Sequence, residues 1–204
     1  MRSFIINNCI NIIINNKEYD KTKLAEIKYG LEALYLTISK LIIITTIAII
    51  LRITKEYIVF LIIFNIIRST SFGLHATKSW ICLLSSTIIF IGLPLIMKTI
   101  ELDTISKIII GIIFTTGIML YSPADTKKRP IVNKKRRKIY KILSTIISIS
   151  YVTLSIIIKN SYIENCLIFS IILQNILISP ITYKIFKLPY NNYKEYIKTH
   201  GLNE

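Results

Sequence analysis

One histidine and one cysteine lie seven positions apart in a short polar stretch, residues 68–82, between two apolar runs. The chain has only two histidines and three cysteines, so His75 and Cys82 are the pair best suited to chemistry. An imidazole that accepts a proton from a thiol creates a nucleophile, and the same imidazole returns the proton to a departing amine. The pair therefore predicts a cysteine nucleophile with a histidine as base and then acid.

This chemistry requires a bend in the chain. Residues seven positions apart in a straight helix share a face but lie about 10 Å apart along its axis, whereas a direct hydrogen bond needs roughly 3 to 3.5 Å. Gly73 permits unusual backbone angles, and Ser79 is a suitable N-cap for a following helix. With Ser79 as the cap, Cys82 is the third helical residue, where the helix dipole and the nearby charge of Arg68 favour an ionised thiol.

Other interpretations of these residue types remain open. A cysteine in a membrane helix is usually a small packing residue, and a histidine at a membrane edge is often only a polar interfacial group. Cys9 and Cys166 have apolar neighbours and are interpreted as packing residues, while His200 is expected to be solvated. The chain does not group four suitable zinc ligands, so neither a metal nor another cofactor is expected. Three scattered cysteines do not suggest a disulfide framework either.

A second informative segment is a basic loop bounded by Pro123 and Pro130. Between the two prolines lie one acidic and three basic residues that we predict to contact a substrate, namely Asp125, Lys127, Lys128 and Arg129. The prolines stiffen the loop, and an acidic peptide is a suitable partner for its positive charge. No fold for base recognition accompanies the basic run, so nucleic acid is not expected as a partner. Attraction to anionic membrane lipids explains most of the remaining positive charge.

Hydropathy indicates how these segments are held. The chain is 52% hydrophobic yet has a formal charge of +15, and the two properties are segregated along it. Six runs are almost free of charge: 41–51, 57–67, 81–97, 105–121, 139–158 and 163–178. A helical crossing needs about 20 apolar residues, and the short first run is extended by a three-four spacing of apolar residues from Leu24 to Leu41. We therefore predict an all-α integral membrane protein with about six transmembrane helices, or a re-entrant hairpin in place of the first two.

Charge distribution predicts the orientation. Basic residues are several-fold more frequent in the segments that lie inside if both termini are cytoplasmic, and the outer turns contain only Arg52, Lys55, Lys98, Lys107 and Lys159. A multi-pass protein of the cell membrane with cytoplasmic termini and a cytoplasmic His75 and Cys82 is expected. Phe4, Ile5, Cys9, Ile12 and Ile13 predict an amphipathic interfacial helix. The expected organisation is one polytopic domain, 1–204, with an amphipathic region at 1–37, a transmembrane bundle at 38–186 and a cytoplasmic tail at 187–204.

Two motifs in this order resemble the accessory gene regulator protein B family of membrane peptidases, which process a quorum-sensing precursor peptide. The resemblance rests on Arg68, Gly73-Leu74-His75-Ala76 and Cys82, and on the segment that runs from Tyr121 to Pro130. Some relatives are glycine-rich before the histidine, where this chain has Phe72 beside Gly73. The six-run hydropathy layout extends the likeness over nearly the whole chain.

The resemblance implies a cysteine endopeptidase with Cys82 as nucleophile, His75 as general base, and Arg68 and Gly73 in the supporting segment. By the same resemblance, the enzyme removes the C-terminal tail of its precursor and holds the remaining peptide as a thioester. A cysteine or serine of that peptide then closes a thiolactone or lactone ring. The implied partners are a short precursor with an amphipathic N-terminus and an acidic C-terminus, and a second copy of the chain as a homodimer.

Two other classes of function remain alternatives. A small membrane transporter or channel subunit is suggested by Asn65, Arg68 and Gln174, which are polar residues expected inside the membrane. A scaffold function is the other. Loss of Cys82 would abolish peptide cleavage but leave transport intact.

Overall fold

The computed structural model describes residues 6, 8, 10–13, 20–74, 79–126 and 130–200. These residues form helices and no strand, which confirms the predicted all-α class. The chain divides into two compact units, Met1–Arg52 and Ile53–Glu204. The division falls at residue 52, and the predicted regions 1–37, 38–186 and 187–204 stay predictions about how the chain meets the membrane.

The first unit contains one long helix, α1 (Lys21–Ile50), of 30 residues. Its length confirms that the predicted amphipathic stretch continues directly into the first apolar run. The described residues between 6 and 13 are also helical, as an interfacial helix requires, although Phe4, Ile5 and Cys9 lie outside the described residues.

The second unit contains the remaining helices, which follow one another with short connections. In chain order they are α2 (Thr54–Ser71), α3 (Ser79–Met97), α4 (Thr104–Tyr121), α5 (Lys134–Ile157), α6 (Ser161–Ile178), α7 (Pro180–Ile185) and α8 (Asn192–His200). Polar N-caps explain several of the starts. Asp103, Asn133 and Asn160 accept a backbone N–H from the first turn of α4, α5 and α6, respectively.

Within the described residues, five helices are long and apolar enough to cross a membrane: α1 from Lys23, α3, α4, α5 and α6. The chain is therefore a multi-pass membrane protein. The expected sixth crossing, α2, is also 18 residues long, but it carries Lys55 and Glu56 in its first turn and Arg68 in its last. Those three charges make α2 too polar to count as a membrane-spanning helix by its composition.

Helix α6 forms the core of the second unit. It contacts α2, α4 and α5, and it is the most buried of the candidate spans. Its buried residues include polar as well as apolar side chains, for example Asn165, Ser170 and Gln174 beside Ile168 and Ile171. Such polar groups need partners in a membrane interior. Asn165 donates to the carbonyls of Met97 and Ile100, and Gln174 donates to the carbonyl of Phe72.

Helix α3 is irregular in its middle. Ile88–Gly92 forms a π-helical turn that ends two residues before Pro94. Proline has no N–H to donate and would crowd the preceding turn of a regular helix. Phe90 in this turn packs its ring against Tyr57, Phe60 and Phe64 of α2 at centroid distances from 5.7 to 6.4 Å. This aromatic cluster fixes α3 against α2, the two helices that precede and follow His75 in the sequence.

Candidate functional site

The chain changes direction sharply where α2 ends. The helix stops at Ser71, after which Phe72 has φ 57° and ψ −127° and Gly73 has φ 112°. Two successive residues with positive φ cannot continue a right-handed helix. The break that was predicted before Cys82 is therefore present, and residues 68–74 are called the corner below.

Gly73 is the residue that allows the corner to approach α6. A Cβ atom at this position would lie 2.9 Å from the carbonyl oxygen of Leu177 and 3.1 Å from the side chain of Ile178. A backbone oxygen cannot turn aside as a flexible side chain can. Both the close contact and the φ of Gly73 thus require glycine.

Phe72 adopts a conformation that is costly for any residue with a side chain, by about 1–3 kcal/mol. Three contacts hold it there. Its N–H donates to the Arg68 carbonyl at 2.9 Å, its own carbonyl accepts from Gln174 Nε2 at 2.7 Å, and its ring meets the Tyr140 ring edge-on with centroids 5.0 Å apart.

The corner is joined directly to the second motif. The Gly73 N–H donates to the Ala124 carbonyl at 2.9 Å, and the Ala124 N–H donates to the Ser71 carbonyl at 3.1 Å, which makes an isolated parallel bridge. Leu74 in turn donates its N–H to the Leu177 carbonyl at 3.0 Å. The two motifs that carry the family resemblance therefore form one structure, supported by the end of α6.

Arg68 stabilises the segment that leaves the corner at Leu74. Its Nη2 donates to the Leu74 carbonyl at 3.0 Å, and its guanidinium lies 5.8 Å from the centre of the Phe64 ring. Its Nη1 is buried and has no hydrogen-bond partner within the described parts of the chain.

Asp125 is buried, with 3% of its surface exposed, and its carboxylate is committed to the C-terminal helix. Oδ1 accepts the N–H of Asn192 at 3.0 Å and Oδ2 accepts the N–H of Tyr193 at 2.8 Å, so Asp125 caps the first turn of α8 from a distant loop. Arg137 Nη1 lies 3.7 Å from Oδ2, and Arg137 Cζ lies 3.5 Å from the centre of the Tyr193 ring. A role of Asp125 in contacting substrate stays a prediction, but its present contacts fasten α8 to the loop.

The first residues of the predicted loop, Ser122 and Pro123, are buried against α5. Pro123 follows a cis peptide bond and is buried, and Ser122 Oγ lies 2.7 Å from Ser144 Oγ on α5. Tyr190, near the same loop, has a pKa raised by burial. Lys127, Lys128 and Arg129, predicted to contact substrate, lie outside the described residues.

A cavity of about 450 Å³ opens between the corner and the loop. The corner contributes Arg68, Phe72 and Gly73 to its lining, and the loop contributes Ala124, Asp125, Thr126 and Pro130. The start of α5 completes it with Asn133, Arg136 and Tyr140, preceded by Ile131 and Val132. The cavity thus brings together Arg68, Gly73, Asp125 and Pro130 from the predicted site.

Cys82 lies in the first turn of α3, four residues into a helix that begins at Ser79. The start agrees with the prediction to within one residue. The Cys82 side chain is half-buried, and it is not among the described residues that line the cavity. His75 lies outside the described residues, so its distance from Cys82 stays a prediction. Cys166 is fully buried in α6, which agrees with a packing role.

Comparison with known proteins identifies the family. The model of the family described as Accessory gene regulator B matches residues 6–178. The chain belongs to this family. A putative AgrB-like protein of Clostridium acetobutylicum is 30% identical over 177 residues, which cover 87% of this chain and 85% of the relative.

Two further relatives support the assignment to the Accessory gene regulator B family. A putative AgrB-like protein of Listeria monocytogenes serovar 1/2a is 27% identical over 179 residues, 87% of each chain. The accessory gene regulator protein B of Staphylococcus aureus strain Newman is 34% identical over 147 residues, 71% of this chain and 76% of the relative. No solved structure matches.

Three structural features of this family member were missed by sequence reasoning. Lys107, expected in an outer turn, is buried in α4 and forms an ion pair with Glu164 of α6. Glu164 at the start of an apolar run was a usable signal, because a charge in that position calls for a partner. Neither the bond from Gln174 to Phe72 nor the docking of α8 on Asp125 had a comparable signal.

Proposed function

We propose that this chain is a membrane-embedded cysteine endopeptidase that cleaves the C-terminal tail from a small quorum-sensing precursor peptide. Cys82 attacks the scissile carbonyl, the carbon–nitrogen bond breaks, and His75 gives the departing amine its proton. The remaining peptide is held as a thioester on Cys82. A cysteine thiol or serine hydroxyl within that peptide then attacks the thioester, which closes a thiolactone or lactone ring and releases the Cys82 thiol.

The observation that carries this proposal is the position of Cys82 in the first turn of α3, the helix that follows the corner in the chain. Helix α2 ends at the corner, where Phe72 and Gly73 have positive φ. The next helix, α3, begins at Ser79 and has Cys82 in its first turn. The unpaired N–H groups of a first helical turn stabilise a nearby anion. Arg68, in the last turn of the preceding helix, is the positive charge that we propose to act together with them.

Thioester exchange suits a site of this kind energetically. One thioester replaces another with little change in free energy, so the enzyme has chiefly to hold the incoming thiol close to the acyl carbon and to keep water away. A substrate that lies on the membrane through its own amphipathic helix already has a high effective concentration at the site. An acidic tail complements the basic loop that contains Lys127, Lys128 and Arg129.

The same proposal includes the setting of the reaction. The termini and the active site face the cytoplasm, where the basic segments meet anionic lipids, and the working unit is a homodimer. No cofactor takes part.

The contacts of the intramembrane polar residues weaken the transporter alternative. Gln174 donates to the Phe72 carbonyl, Arg68 donates to the Leu74 carbonyl, and Asn65 Nδ2 donates to the Leu61 carbonyl of its own helix. Each of the three residues therefore has at least one backbone partner. Two of the three support the corner.

Co-expression with the precursor tests the proposal. The candidate precursor is a short reading frame beside the gene for this chain, encoding an amphipathic start, a central cysteine or serine and an acidic end. Mass spectrometry of the culture should find the tail-free, cyclised peptide with the unsubstituted enzyme. Cys82→Ala and His75→Ala should each abolish both cleavage and cyclisation.

Cys166→Ala is the matched control, because it removes a thiol from the same protein away from the first turn of α3. It should retain cleavage, provided that the membrane level of the protein is unchanged on an immunoblot. Cleavage by the Cys82→Ala variant at the level of this control would reject the peptidase mechanism.

A further inference from the structure

One turn of α6 holds three consecutive residues of the corner. Gln174 Nε2 donates to the Phe72 carbonyl at 2.7 Å, and the Leu74 N–H donates to the Leu177 carbonyl at 3.0 Å. Between these two bonds, Gly73 lies directly against the same Leu177 carbonyl. The contacts at Leu177 use its backbone and are independent of its side chain, whereas the bond to Phe72 requires the amide side chain of Gln174.

Gln174 and Ala124 hold opposite edges of a single peptide group, the one that joins Phe72 to Gly73. Its carbonyl accepts from Gln174 on one edge, and its N–H donates to the Ala124 carbonyl at 2.9 Å on the other. A peptide group is planar, so two bonds on opposite edges fix the direction in which the chain leaves the corner. His75 is the second residue after Gly73, and a rotation of this peptide plane would therefore displace its imidazole.

The amide of Gln174 adds little net stability to the fold. The side chain is fully buried, and its Oε1 has no hydrogen-bond partner among the described residues. A buried acceptor without a partner costs about as much free energy as one good hydrogen bond contributes. An apolar side chain of the same length would remove the unpaired oxygen together with the bond, which offsets much of the loss. A large fall in activity on that replacement would thus come from geometry and not from unfolding.

We propose that Gln174 is a positioning residue of the peptidase, which directs His75 toward Cys82 through the peptide group between Phe72 and Gly73. It acts on the reaction through the backbone and does not touch the substrate. This inference rests on the proposed function, because it assigns Gln174 to the orientation of the base. It adds a residue of α6 to a site whose two motifs lie between Arg68 and Pro130 in the chain.

The reactivity of the Cys82 thiol tests this role without a substrate. Full-length protein in phosphatidylcholine nanodiscs is treated with iodoacetamide at neutral pH, and peptide mass spectrometry follows the rate of alkylation at Cys82. The thiolate is the reactive form, so loss of the base in His75→Ala should slow alkylation at least about fivefold. Gln174→Met, which removes the donor at nearly the same side-chain length, should slow it by a comparable factor.

The double variant shows whether Gln174 acts through His75. If it does, Gln174→Met should cause no further slowing in a His75→Ala background, because the group that it positions is already absent. Two independent effects would instead multiply, and that result would overturn the proposal.

Asn175→Leu is the matched control. Asn175 is the next residue of α6, and its Nδ2 likewise donates to a backbone carbonyl, that of Phe114 on α4, at 2.8 Å. Because this bond does not involve the corner, the rate of alkylation should stay within about twofold of the unsubstituted protein. Equal slowing in Gln174→Met and Asn175→Leu would indicate a general loss of packing and would overturn the proposal.

Cys166 reports folding in the same samples. It is fully buried in α6, so it should stay unlabelled in every folded variant. Labelling of Cys166 in Gln174→Met would mean that the amide serves stability, which also contradicts the proposal.

Kinetics with the precursor complete the test. Gln174→Met should lower the rate of tail removal at saturating precursor at least about tenfold and leave KM nearly unchanged, because a displaced base slows the chemical step without altering binding. A raised KM with an unchanged maximal rate would overturn the proposal. If His75→Ala leaves the alkylation rate of Cys82 unchanged, both the proposed mechanism and the positioning role fail; if His75→Ala slows it and Gln174→Met does not, the positioning role fails alone.

Discussion

The N–H of Gly73 donates to the carbonyl oxygen of Ala124 at 2.9 Å, and this bond unites two motifs that are far apart in the chain. Gly73 belongs to the corner that precedes Cys82, and Ala124 belongs to the proline-flanked loop. A motif pair that is in contact forms a single site, in which a change on one side alters the other. The predictions below depend on this arrangement.

Replacement of Gly73 by alanine should disable the corner. The new Cβ would sit 2.9 Å from the Leu177 carbonyl oxygen, at a φ that alanine disfavours, so we expect a loss of about 2 kcal/mol or more in unfolding free energy. Gly30→Ala is the matched control, because nothing lies within 4 Å of a Cβ there. Thermal unfolding in detergent and precursor cleavage should both fall in Gly73→Ala only; equal behaviour of the two variants would contradict the corner geometry.

Phe72 offers an unusual order of substitutions. Alanine loses the ring contact with Tyr140 and keeps the strained φ of 57°, whereas glycine loses the same contact and relieves the strain. We expect Phe72→Gly to be more stable than Phe72→Ala by about 1 kcal/mol, which reverses the usual order of the two residues. Thermal unfolding of both variants measures the difference, and an alanine variant more stable than the glycine one would show that Phe72 is not held at positive φ.

Asp125→Asn should release the C-terminal helix. An amide can accept from only one of the two N–H groups of Asn192 and Tyr193, and it leaves Arg137 without its anion. The unsatisfied buried groups should cost on the order of 2 kcal/mol. Hydrogen exchange measured by mass spectrometry should rise in α8, Asn192–His200, while α4 stays protected. Unchanged exchange in α8 would mean that the carboxylate does not fasten this helix.

The largely buried ion pair between Lys107 and Glu164 should show coupling. Removing one partner leaves a poorly solvated charge, at a cost of about 1–3 kcal/mol, whereas removing both costs less. We therefore expect Lys107→Met and Glu164→Gln each to be less stable than the double variant. A double-mutant cycle by thermal unfolding measures the coupling, and additive effects of the two substitutions would rule out a direct pair.

Hydropathy was sufficient to predict α1, α3, α4, α5 and α6, because long apolar runs are a local signal. Gly73 was recognisable as a break for the same reason. The contacts that build the site are not local: Gln174 reaches the Phe72 carbonyl, and Asp125 reaches Asn192. Such pairs depend on how distant helices pack, which spacing along one chain does not reveal.

Helix α2, the one predicted crossing that does not qualify as a span, shows how charge complicates a prediction from hydropathy. Helix α2 has the expected place and an 18-residue length, yet Arg68 in its last turn serves the corner instead of facing lipid. A composition rule counts Arg68 against a span, whereas its position at the helix end is what the corner needs. The residue that shortens the apolar part of α2 is therefore the same one that stabilises the corner.

The most direct test of the mechanism is the covalent intermediate on Cys82. The purified enzyme is mixed with a precursor whose ring-closing residue is replaced by alanine, quenched in acid, and analysed by intact-mass and peptide mass spectrometry. We expect an acyl adduct on the peptide that contains Cys82, of the mass of the tail-free precursor, which hydroxylamine removes and which Cys82→Ala lacks. An adduct on another residue, or tail removal by the Cys82→Ala enzyme, would contradict the account.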